Sequence, residues 1–367
     1  MRVVDLKIED IAFGGKGVGR EQGKAIFVPY TIDGELVSAE VVREKKQFAE
    51  GVLVDVKESA PDRVRPECPY FSRCGGCAYQ HMGYEHQLAI KWLQVRNILQ
   101  RIGKLTNIPM RPIIPSPKQY KYRNRITVHV RDGVIGFFWR DSHHLIDIER
   151  CPISCDEVNR ALADLRGRDP RDGHYTLRAS SNVRVFSQTN NEVSDALRAL
   201  IADLVPPNQN LLIDAYCGAG FFAKALLNKF EHVVGIDWDK FAIASAKENV
   251  TEKETYVAGD VGEELQQVGA VHLNRPLVDE VSHGRLRSIA PTTIIVDPPA
   301  SGLSANVRRS ILDLVPTTLI YVSCNPATLA RDLKELHPKF TISSVTPLDM
   351  FPQTAEIEVA VRLEPTT

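Results

Sequence analysis

One cysteine near the C-terminal end of the chain stands in a setting where a thiol could do covalent chemistry. It belongs to the stretch Tyr321-Val322-Ser323-Cys324-Asn325-Pro326, an apolar run that ends in a thiol, an amide and a proline. Open α/β sheets bind ligands at the carboxyl ends of their strands, and Pro326 would turn the chain away at that point. A cysteine after an apolar strand is more often a small buried hydrophobe, so packing is the alternative role. We predict that Cys324 is a nucleophile.

Acidic residues follow four successive apolar runs in the second half of the chain. They are Asp214, Asp237, Asp260 and Asp297. The first opens the turn Asp214-Ala215-Tyr216-Cys217-Gly218-Ala219-Gly220-Phe221, whose glycines would let the backbone pass close beneath a ligand. The third glycine of the dinucleotide fingerprint is missing and Phe221 stands near the helix start, which favours a nucleoside without phosphates, such as S-adenosylmethionine. Capping of the next helix is the alternative role for any one of these carboxylates.

The stretch Asp297-Pro298-Pro299 is compatible with two kinds of methyl transfer, to an exocyclic nitrogen or to a ring carbon of a base. Amino methyltransferases generally continue with an aromatic residue that stacks on the target base, but this chain continues with Ala300. Carbon 5 of a pyrimidine is a poor nucleophile, and a thiolate that adds to carbon 6 turns it into an enolate able to attack a methyl sulfonium. A base must then remove the carbon 5 proton so that the thiol can leave, and Glu356 and Glu358 are the candidates. Cys324 therefore favours methylation at carbon 5.

A second group of cysteines precedes the middle of the chain. Cys68, Cys74 and Cys77 are spaced as C-x5-C-x2-C, and Cys151 and Cys155 lie far away. Structural zinc sites usually have paired C-x2-C knuckles, whereas iron-sulfur sites often combine a tight group with one distant cysteine. The spacing favours an iron-sulfur cluster over zinc or unliganded thiols, with Cys155 as the alternative to Cys151.

Composition and charge restrict the class of protein. The 367 residues are 43% hydrophobic and 25% charged, which is typical of two or three globular domains, and the seven cysteines argue against a disulfide framework. The chain has no apolar run of signal-peptide or membrane-spanning length, so we expect a soluble, cytoplasmic protein. Residues 63–190 carry 21 Lys and Arg against 11 Asp and Glu, a net charge of +10, and the parts on either side are acidic. The excess of basic residues in this middle part favours nucleic acid as the partner. The alternative is that these residues only form a solvent-exposed face.

The elements that would carry these residues divide the chain into three parts. Residues 1–60 alternate five short β-type runs with glycine turns, which predicts a small β-barrel of the oligonucleotide-binding (OB-like) kind or a structural appendage. Residues 61–190 contain the cysteines, an amphipathic helix over 84–102, strands on either side of Asp132-Gly133, and one helix followed by a polar loop over 156–176. Residues 191–367 alternate helices with apolar strands, which predicts a Rossmann-like α/β domain with a parallel sheet.

Four motifs together resemble the RNA 5-methyluridine methyltransferase family over nearly the whole chain. They are Asp214 to Gly220, Asp297-Pro298-Pro299, the turn Ser323 to Pro326, and Asp349-Met350-Phe351-Pro352-Gln353-Thr354. The resemblance implies a class I methyltransferase domain, an N-terminal TRAM domain over residues 1–60, and a small α+β RNA-binding domain that opens at Tyr122-Arg123-Asn124-Arg125. It also implies a [4Fe-4S] cluster on Cys68, Cys74, Cys77 and Cys151.

The resemblance assigns roles to the remaining site residues. The contacts to S-adenosyl-L-methionine would fall on Gln188, Tyr216, Phe221, Asp237, Asp260 and Asp297. The nucleophile would be Cys324, and the family's spacing from the Phe-Pro turn selects Glu358 as the base, with Glu356 as the alternate.

The chain departs from the family pattern in three places. Ala300 replaces an arginine, the stretch from Cys151 to Gln188 is short, and Glu356 stands where members often have histidine. We predict a monomeric RNA (uracil-5-)-methyltransferase that acts on 23S ribosomal RNA. The alternatives are a transfer RNA methyltransferase and a non-catalytic RNA-binding or assembly factor on the same scaffold.

Overall fold

The computed structural model describes residues 2–140, 142–180, 188–207, 209–273 and 292–366. It contains a closed barrel, a four-stranded sheet and a seven-stranded sheet. No helix within these ranges combines the length and the apolar character that crossing a lipid bilayer requires.

Five strands close the N-terminal barrel in the order β1-β2-β3-β5-β4. Their pairs are antiparallel except for β3 with β5, which is parallel. The strands are β1 (Arg2–Ala12), β2 (Lys16–Glu21), β3 (Lys24–Pro29), β4 (Leu36–Glu44) and β5 (Phe48–Glu58). Alternate residues such as Leu6, Ile8, Ile26 and Val28 are buried in its core, because successive side chains of a strand point to opposite faces. The predicted five-stranded barrel is confirmed.

The middle of the chain forms a small antiparallel sheet in the order β8-β7-β6-β9 with one helix on its apolar face. The elements are α1 (Tyr84–Arg101), β6 (Arg125–Arg131), β7 (Val134–Phe138), β8 (Leu145–Asp147), α2 (Asp156–Arg166) and β9 (Gly173–Arg178). The expected hairpin at Asp132-Gly133 has positive φ at both residues, as a two-residue turn requires.

The prediction of one helix and a polar loop over 156–176 missed strand β9. Its sequence Gly173-His-Tyr-Thr-Leu-Arg178 is mostly polar on one side, and its pairing partner is β6, some forty positions earlier in the chain. A strand that depends on such a distant partner gives only a weak local signal.

The C-terminal domain is a seven-stranded sheet in the order β12-β11-β10-β13-β14-β16-β15. Its helices are α3 (Asn191–Leu204), α4 (Phe221–Leu226), α5 (Lys240–Ala246), α6 (Val261–Leu273), α7 (Ala305–Leu314) and α8 (Pro326–Leu336). Its strands are β10 (Gln209–Ala215), β11 (Phe230–Asp237), β12 (Glu254–Ala258), β13 (Thr292–Val296), β14 (Thr318–Ser323), β15 (Phe340–Leu348) and β16 (Glu358–Pro365). The first five strands in the order are parallel and β16 is antiparallel to both of its neighbours.

Two apolar clusters cover the two faces of this sheet, as the βα alternation predicted. Helix α1 also packs here, because its buried Val95 and Leu99 join the cluster that contains Leu333 and Leu336 of α8. Ile102, the last residue of the predicted apolar stripe of α1, is 45% exposed and lies beyond the end of the helix.

Candidate active site

The carboxyl edge of the large sheet collects the residues that the sequence singled out. Strands β10, β11, β13 and β14 are parallel neighbours, so the residues that follow them meet at one edge. Asp237 ends β11, while Asp297 follows β13 and Cys324 follows β14. The antiparallel strand β16 brings its first residue, Glu358, to the same edge.

Cys324 and Glu358 are neighbours at the junction of β14 and β16. The register pairs Ser323 with Val359, so the next position on each strand sets Cys324 against Glu358. Directly opposed residues of an antiparallel pair point to the same face, with Cβ atoms about 5 Å apart. Cys324 is partly exposed, whereas Glu358 is 3% exposed and its Oε1 has no hydrogen-bond partner among the described residues. A buried carboxylate oxygen left free beside a thiol can accept a proton from a substrate held between them.

The acidic neighbours alter the protonation of this pair. Burial, followed by the charges of Asp297 and Glu356, raises the pKa of Glu358 well above its usual range. Burial raises the pKa of Asp297 to about 7. Burial and the nearby carboxylates of Glu358 and Asp297 raise the pKa of Cys324 to about 12. Without a bound substrate Cys324 is therefore a thiol at neutral pH, and the raised pKa of Glu358 favours its protonated form in the same way.

Glu356 does not lie opposite Cys324, although its charge acts on both Cys324 and Glu358. Its side chain is exposed and lines the cavity that the cysteines of the middle region share, and β16 begins only at Glu358. The predicted strand over 356–363 therefore starts two residues late, and the geometry at Cys324 favours Glu358.

The turn before β16 is fixed by helix α1. Lys91 Nζ donates to Asp349 Oδ1 at 2.6 Å and to the carbonyl of Phe351 at 2.9 Å, and the side chains of Lys91 and Asp349 are fully buried. Gln87 Nε2 donates to Gln353 Oε1 at 3.0 Å, and the Gln353 N–H donates back to Gln87 Oε1 at 3.0 Å. These bonds hold the turn from which the chain enters β16, and they thereby help to position Glu358, the first residue of that strand.

A second cavity of about 360 Å³ adjoins the first βα turn. Four of the predicted cofactor residues line it: Gln188, Tyr216, Phe221 and Asp297. Tyr216, Gly218 and Gly220 have φ values of 67°, 53° and 86°, so the turn uses the left-handed conformation that glycine tolerates best.

Two predicted cofactor residues, Asp237 and Asp260, do not line this cavity. Asp237 Oδ2 accepts a bond from the Gly218 N–H at 2.8 Å and therefore holds the turn that faces the cavity. Asp260 Oδ1 accepts bonds from the N–H groups of Gly262 and Glu263 at 2.9 and 3.1 Å, which is a helix cap for α6. In the structure, Asp260 therefore has the alternative role given above, that of a helix cap.

Sequence reasoning missed one wall of this cavity. Helix α3 contributes four polar residues to it: Asn191, Ser194, Asp195 and Arg198. The Arg198 guanidinium lies 5.1 Å from the centre of the Phe221 ring. The signal was available in the sequence, because α3 begins three residues after Gln188 and has a polar side at helical spacing.

The loop that contains Ala300 is held through its main chain. The Ala300 carbonyl accepts bonds from Asn325 Nδ2 at 3.1 Å and from Thr328 Oγ1 at 3.0 Å. Asn325 also caps α8 through the Ala327 N–H at 3.0 Å. Asn325, the residue after Cys324, therefore holds this loop through the main chain of Ala300.

Four cysteines line one cavity of about 470 Å³: Cys68, Cys74, Cys77 and Cys151. Burial, followed by the charge of Cys151, raises the pKa of Cys77. Cys155 does not line the cavity and instead precedes α2. Among the described residues, however, no group of three or more His, Cys, Asp or Glu side chains is close enough to hold a metal ion.

Comparisons with known proteins agree with this architecture. The family model described as tRNA (Uracil-5-)-methyltransferase matches residues 169–366, and the TRAM domain model matches residues 1–54. An uncharacterized RNA methyltransferase of Halalkalibacterium halodurans is 30% identical, with 99% of this chain and 97% of that protein covered. Another from Aquifex aeolicus is 27% identical, with 98% of each covered.

One solved structure resembles the whole fold. It is the Pyrococcus abyssi tRNA (uracil-54, C5)-methyltransferase in complex with S-adenosyl-L-homocysteine. The TM-score is 0.70 at 23% identity, and the match covers 98% of this chain and 100% of that chain. The matches of the TRAM and methyltransferase models, together with the relative that is 30% identical over nearly the full length, show that the chain belongs to the family of TRAM-containing RNA (uracil-5-)-methyltransferases.

Proposed function

We propose that this enzyme methylates carbon 5 of one uridine in a structured RNA through a covalent adduct between Cys324 and the uracil ring, with Glu358 as the base. The observation that carries the proposal is the β14–β16 register, which sets the Cys324 thiol beside a buried carboxylate with a free oxygen. A uracil ring held against this edge would have carbon 6 near the thiol and carbon 5 near the carboxylate.

The proposed reaction balances as follows. Cys324 loses its proton to solvent and its sulfur forms a bond to carbon 6, which makes carbon 5 nucleophilic. S-adenosylmethionine supplies the electrophilic methyl group and is converted to S-adenosylhomocysteine. Glu358, which must first have lost its own proton to solvent, removes the proton from carbon 5 and later releases it to solvent. The bond between the Cys324 sulfur and carbon 6 then breaks, which restores the thiolate and yields 5-methyluridine.

We assign the methyl donor to the cavity next to the first βα turn. Gln188, Tyr216, Phe221 and Asp297 would contact it directly, because they line the cavity. Asp237 would act by holding Gly218 and by accepting bonds from a ribose at the end of β11. Asp260 remains a proposed contact, although its carboxylate already caps α6.

Access to the target base requires that the uridine leave its stack. The faces of a stacked pyrimidine are closed to a thiol, so the base must be extruded into the site. We propose that residues 1–60 form an RNA-binding barrel, that residues 61–190 supply phosphate contacts, and that residues 191–367 carry out catalysis. The net charge of +10 over residues 63–190 supports the assignment of the middle part.

For the RNA itself, 23S ribosomal RNA is our first candidate and transfer RNA is the alternative. The alternative draws support from the description of the matching family and from the substrate in the name of the Pyrococcus abyssi enzyme. Mapping of 5-methyluridine in ribosomal and transfer RNA from a deletion strain separates the two, because only the RNA class that is a substrate loses its modification.

We also propose that Cys68, Cys74, Cys77 and Cys151 hold a [4Fe-4S] cluster. What supports the proposal is the kind and number of the donors, since four thiols line one cavity and iron-sulfur clusters take four thiolates. Among the described residues these side chains are not yet close enough together to hold a metal ion. The cluster would join the segment around Cys74 to the small sheet.

A covalent trap tests the central proposal. RNA that contains 5-fluorouridine cannot lose its carbon 5 substituent as a proton, so the adduct should resist denaturation and run as a shifted band on a denaturing gel. The Cys324→Ala variant should form none, and the Cys155→Ala variant, which removes a cysteine that lines neither cavity, should still form it. An adduct with Cys324→Ala would refute the assignment.

A further inference from the structure

The turn between β1 and β2 of the barrel, residues 13–15, lies directly against the segment that follows Cys77. Gly15 is buried, and a Cβ atom at this position would stand 2.8 Å from the Cβ of Ala78 and 3.1 Å from Cε1 of Tyr79. The neighbouring glycine at position 14 has a similar left-handed φ, 98° against 88°, but a Cβ atom there would have no neighbour within 4 Å among the described residues. Of these two glycines, Gly15 is the one that a close approach requires.

The segment after Cys77 completes the core of the barrel. Ala78 and Tyr79 are buried in one apolar cluster with barrel residues such as Ile11. Ala355, in the turn before β16, packs against the same cluster. The barrel and the turn that precedes the proposed base therefore share packing contacts.

Helix α1 adds hydrogen bonds to this connection. Gln94 Nε2 donates to the carbonyls of Ile11 and Ala12, at the end of β1, at 2.9 and 3.1 Å. The same nitrogen donates to the Tyr79 hydroxyl at 3.0 Å. Gln87, two helical turns earlier on the same face of α1, donates to the Tyr79 carbonyl at 3.2 Å. One face of α1 thus holds both the end of β1 and Tyr79.

These contacts converge on the main chain of Gln353. Its carbonyl accepts bonds from the N–H groups of Ala78 and Tyr79, both at 3.0 Å, and its N–H and side chain pair with Gln87. Gln353 is buried and has a φ of 70°. This conformation is unfavourable for a residue with a Cβ atom, and it persists because the surrounding contacts enforce it. The barrel side of the molecule therefore helps to define the backbone five residues before Glu358.

We propose that the barrel positions the catalytic base Glu358, with Gly15 and Gln94 as the positioning residues. Their contacts with residues 78–79 fix Gln353, and the backbone of Gln353 sets where the chain enters β16 with Glu358 at its start. The barrel then contributes to catalysis as well as to the proposed binding of RNA. The inference rests on the proposed function, since Glu358 must be the base, and it adds residues outside the methyltransferase domain that control the removal of the carbon 5 proton.

The reaction steps make this role distinguishable from a general effect on the fold. Cys324 follows β14 and the proposed methyl-donor cavity adjoins the turn after β10, so both are carried by the parallel strands. Glu358 instead follows the turn that Gln353 belongs to. A displaced Glu358 should slow removal of the carbon 5 proton, while addition of the thiol and methyl transfer continue. The methylated adduct would then accumulate.

Single-turnover reactions with an excess of full-length enzyme test the inference. The substrate is total RNA from a deletion strain grown with uridine that carries tritium at carbon 5, and the methyl donor carries radiocarbon in its methyl group. Tritium released to water measures proton removal, and radiocarbon bound to RNA measures methyl transfer. In Gly15→Ala, tritium release should slow roughly tenfold or more, because a base misplaced by about 1 Å loses its catalytic geometry. Methyl transfer should stay within about twofold of wild type.

Two further variants accompany Gly15→Ala. Gly14→Ala is the matched control, because it adds the same Cβ atom at a left-handed position of the same turn without a neighbour to displace, and it should leave both rates of the bound complex unchanged. Gln94→Met removes the bonds to Ile11 and Ala12 without a new clash. It should slow tritium release selectively, and it replaces Gly15→Ala if that variant does not fold.

A double variant checks that the effect passes through Gln353. Gln353→Gly removes the side-chain bonds and the strain at this position, so its backbone no longer depends on its neighbours for its conformation. Tritium release should slow in this variant, and the addition of Gly15→Ala should slow it by no more than about twofold further, because residues that act through one another are not additive. Fully additive losses would overturn the inference.

Other results would overturn it as well. They are equal slowing of both rates in Gly15→Ala and Gln94→Met, unchanged tritium release in both variants, or the same behaviour of Gly14→Ala and Gly15→Ala. Weaker RNA binding with unchanged tritium release at saturating RNA would assign the turn to RNA binding alone.

Hydrogen–deuterium exchange of the free enzyme separates this inference from the proposed function. Without RNA or methyl donor, the peptide over residues 349–358 should exchange faster in Gly15→Ala than in Gly14→Ala or wild type. If wild type released no tritium, the proposed function would fail, and the exchange data would still show whether the barrel holds Gln353. Unchanged exchange in Gly15→Ala and Gln94→Met would overturn the inference and leave the proposed function intact.

Discussion

Cys324 and Glu358 stand opposite each other because β14 and β16 pair in a register that sets Ser323 against Val359. One residue supplies a thiol at a parallel strand end, and the other a carboxylate at the start of the antiparallel strand beside it. Asp297, with a pKa raised to about 7, lies close enough to influence both. This relationship makes the roles of the acidic residues separable by mutation.

Replacing Glu358 with Gln should stop the reaction after methyl transfer. Glutamine cannot take up the carbon 5 proton, so the methylated adduct should accumulate and turnover should fall roughly a hundredfold or more. The measurement is radiolabelled methyl retained in a denaturation-resistant protein–RNA complex. Glu356→Gln is the matched control, and its turnover should fall far less because Glu356 is exposed and does not lie opposite Cys324. The reverse pattern would make Glu356 the base.

The alkylation of Cys324 should depend steeply on pH. Because burial and the carboxylates of Glu358 and Asp297 raise the pKa of this thiol to about 12, the thiolate fraction grows about tenfold for each unit of pH below that value. Iodoacetamide labelling of the Cys324 peptide, followed by mass spectrometry in the free enzyme, should therefore still rise between about pH 7 and pH 9. Asp297→Asn removes one negative charge and should speed labelling at a fixed pH. A plateau below neutral pH would contradict the proposed environment.

Asp237 should matter for cofactor binding through the turn that it holds. In Asp237→Ala the Gly218 N–H loses its acceptor, and the affinity for S-adenosylmethionine should fall roughly tenfold or more by calorimetry. Asp239→Asn is the control, because asparagine caps α5 as well as aspartate does. Equal losses in both variants would indicate a general effect on β11 and α5 rather than a role of Asp237.

The buried pair of Lys91 and Asp349 should be important for stability. Lys91→Ala would leave the Asp349 carboxylate buried without its partner, at a cost of about 3–5 kcal/mol in the free energy of unfolding. Urea denaturation measures the loss. Glu85→Ala, on the exposed side of the same helix, should change stability by less than about 0.5 kcal/mol. A loss below about 1 kcal/mol for Lys91→Ala would mean that water or another group compensates the carboxylate.

The iron-sulfur proposal can be checked with two cysteines that are close in sequence. Anaerobically purified wild type should be brown, with broad absorption near about 400 nm and about four irons per chain. Cys151→Ser should lose the colour, whereas Cys155→Ser should keep it, because only Cys151 lines the cavity with the other three thiols. A colourless wild-type protein that contains zinc would exclude the cluster.

The sequence by itself determined the features that depend on local patterns. The alternation of the first five strands, the glycine turn after Asp214 and the apolar run that ends in Cys324 could all be recognised, because side-chain periodicity and turn residues act over a few positions. The same patterns placed the acidic residues at strand ends and gave the order of helices and strands in the methyltransferase domain.

Only the tertiary structure decided which of these residues meet. The β14–β16 register places Glu358, and not Glu356, opposite Cys324, and strand β9 with its Arg178 exists through pairing with the distant β6. The polar side of α3 and the capping alternative for Asp260 could be recognised in the sequence, but only the fold shows that this side of α3 lines the cavity next to the first βα turn and that Asp260 caps α6. Registers and cavities of this kind result from contacts between residues far apart in the chain, and no short stretch of sequence specifies both partners of such a contact.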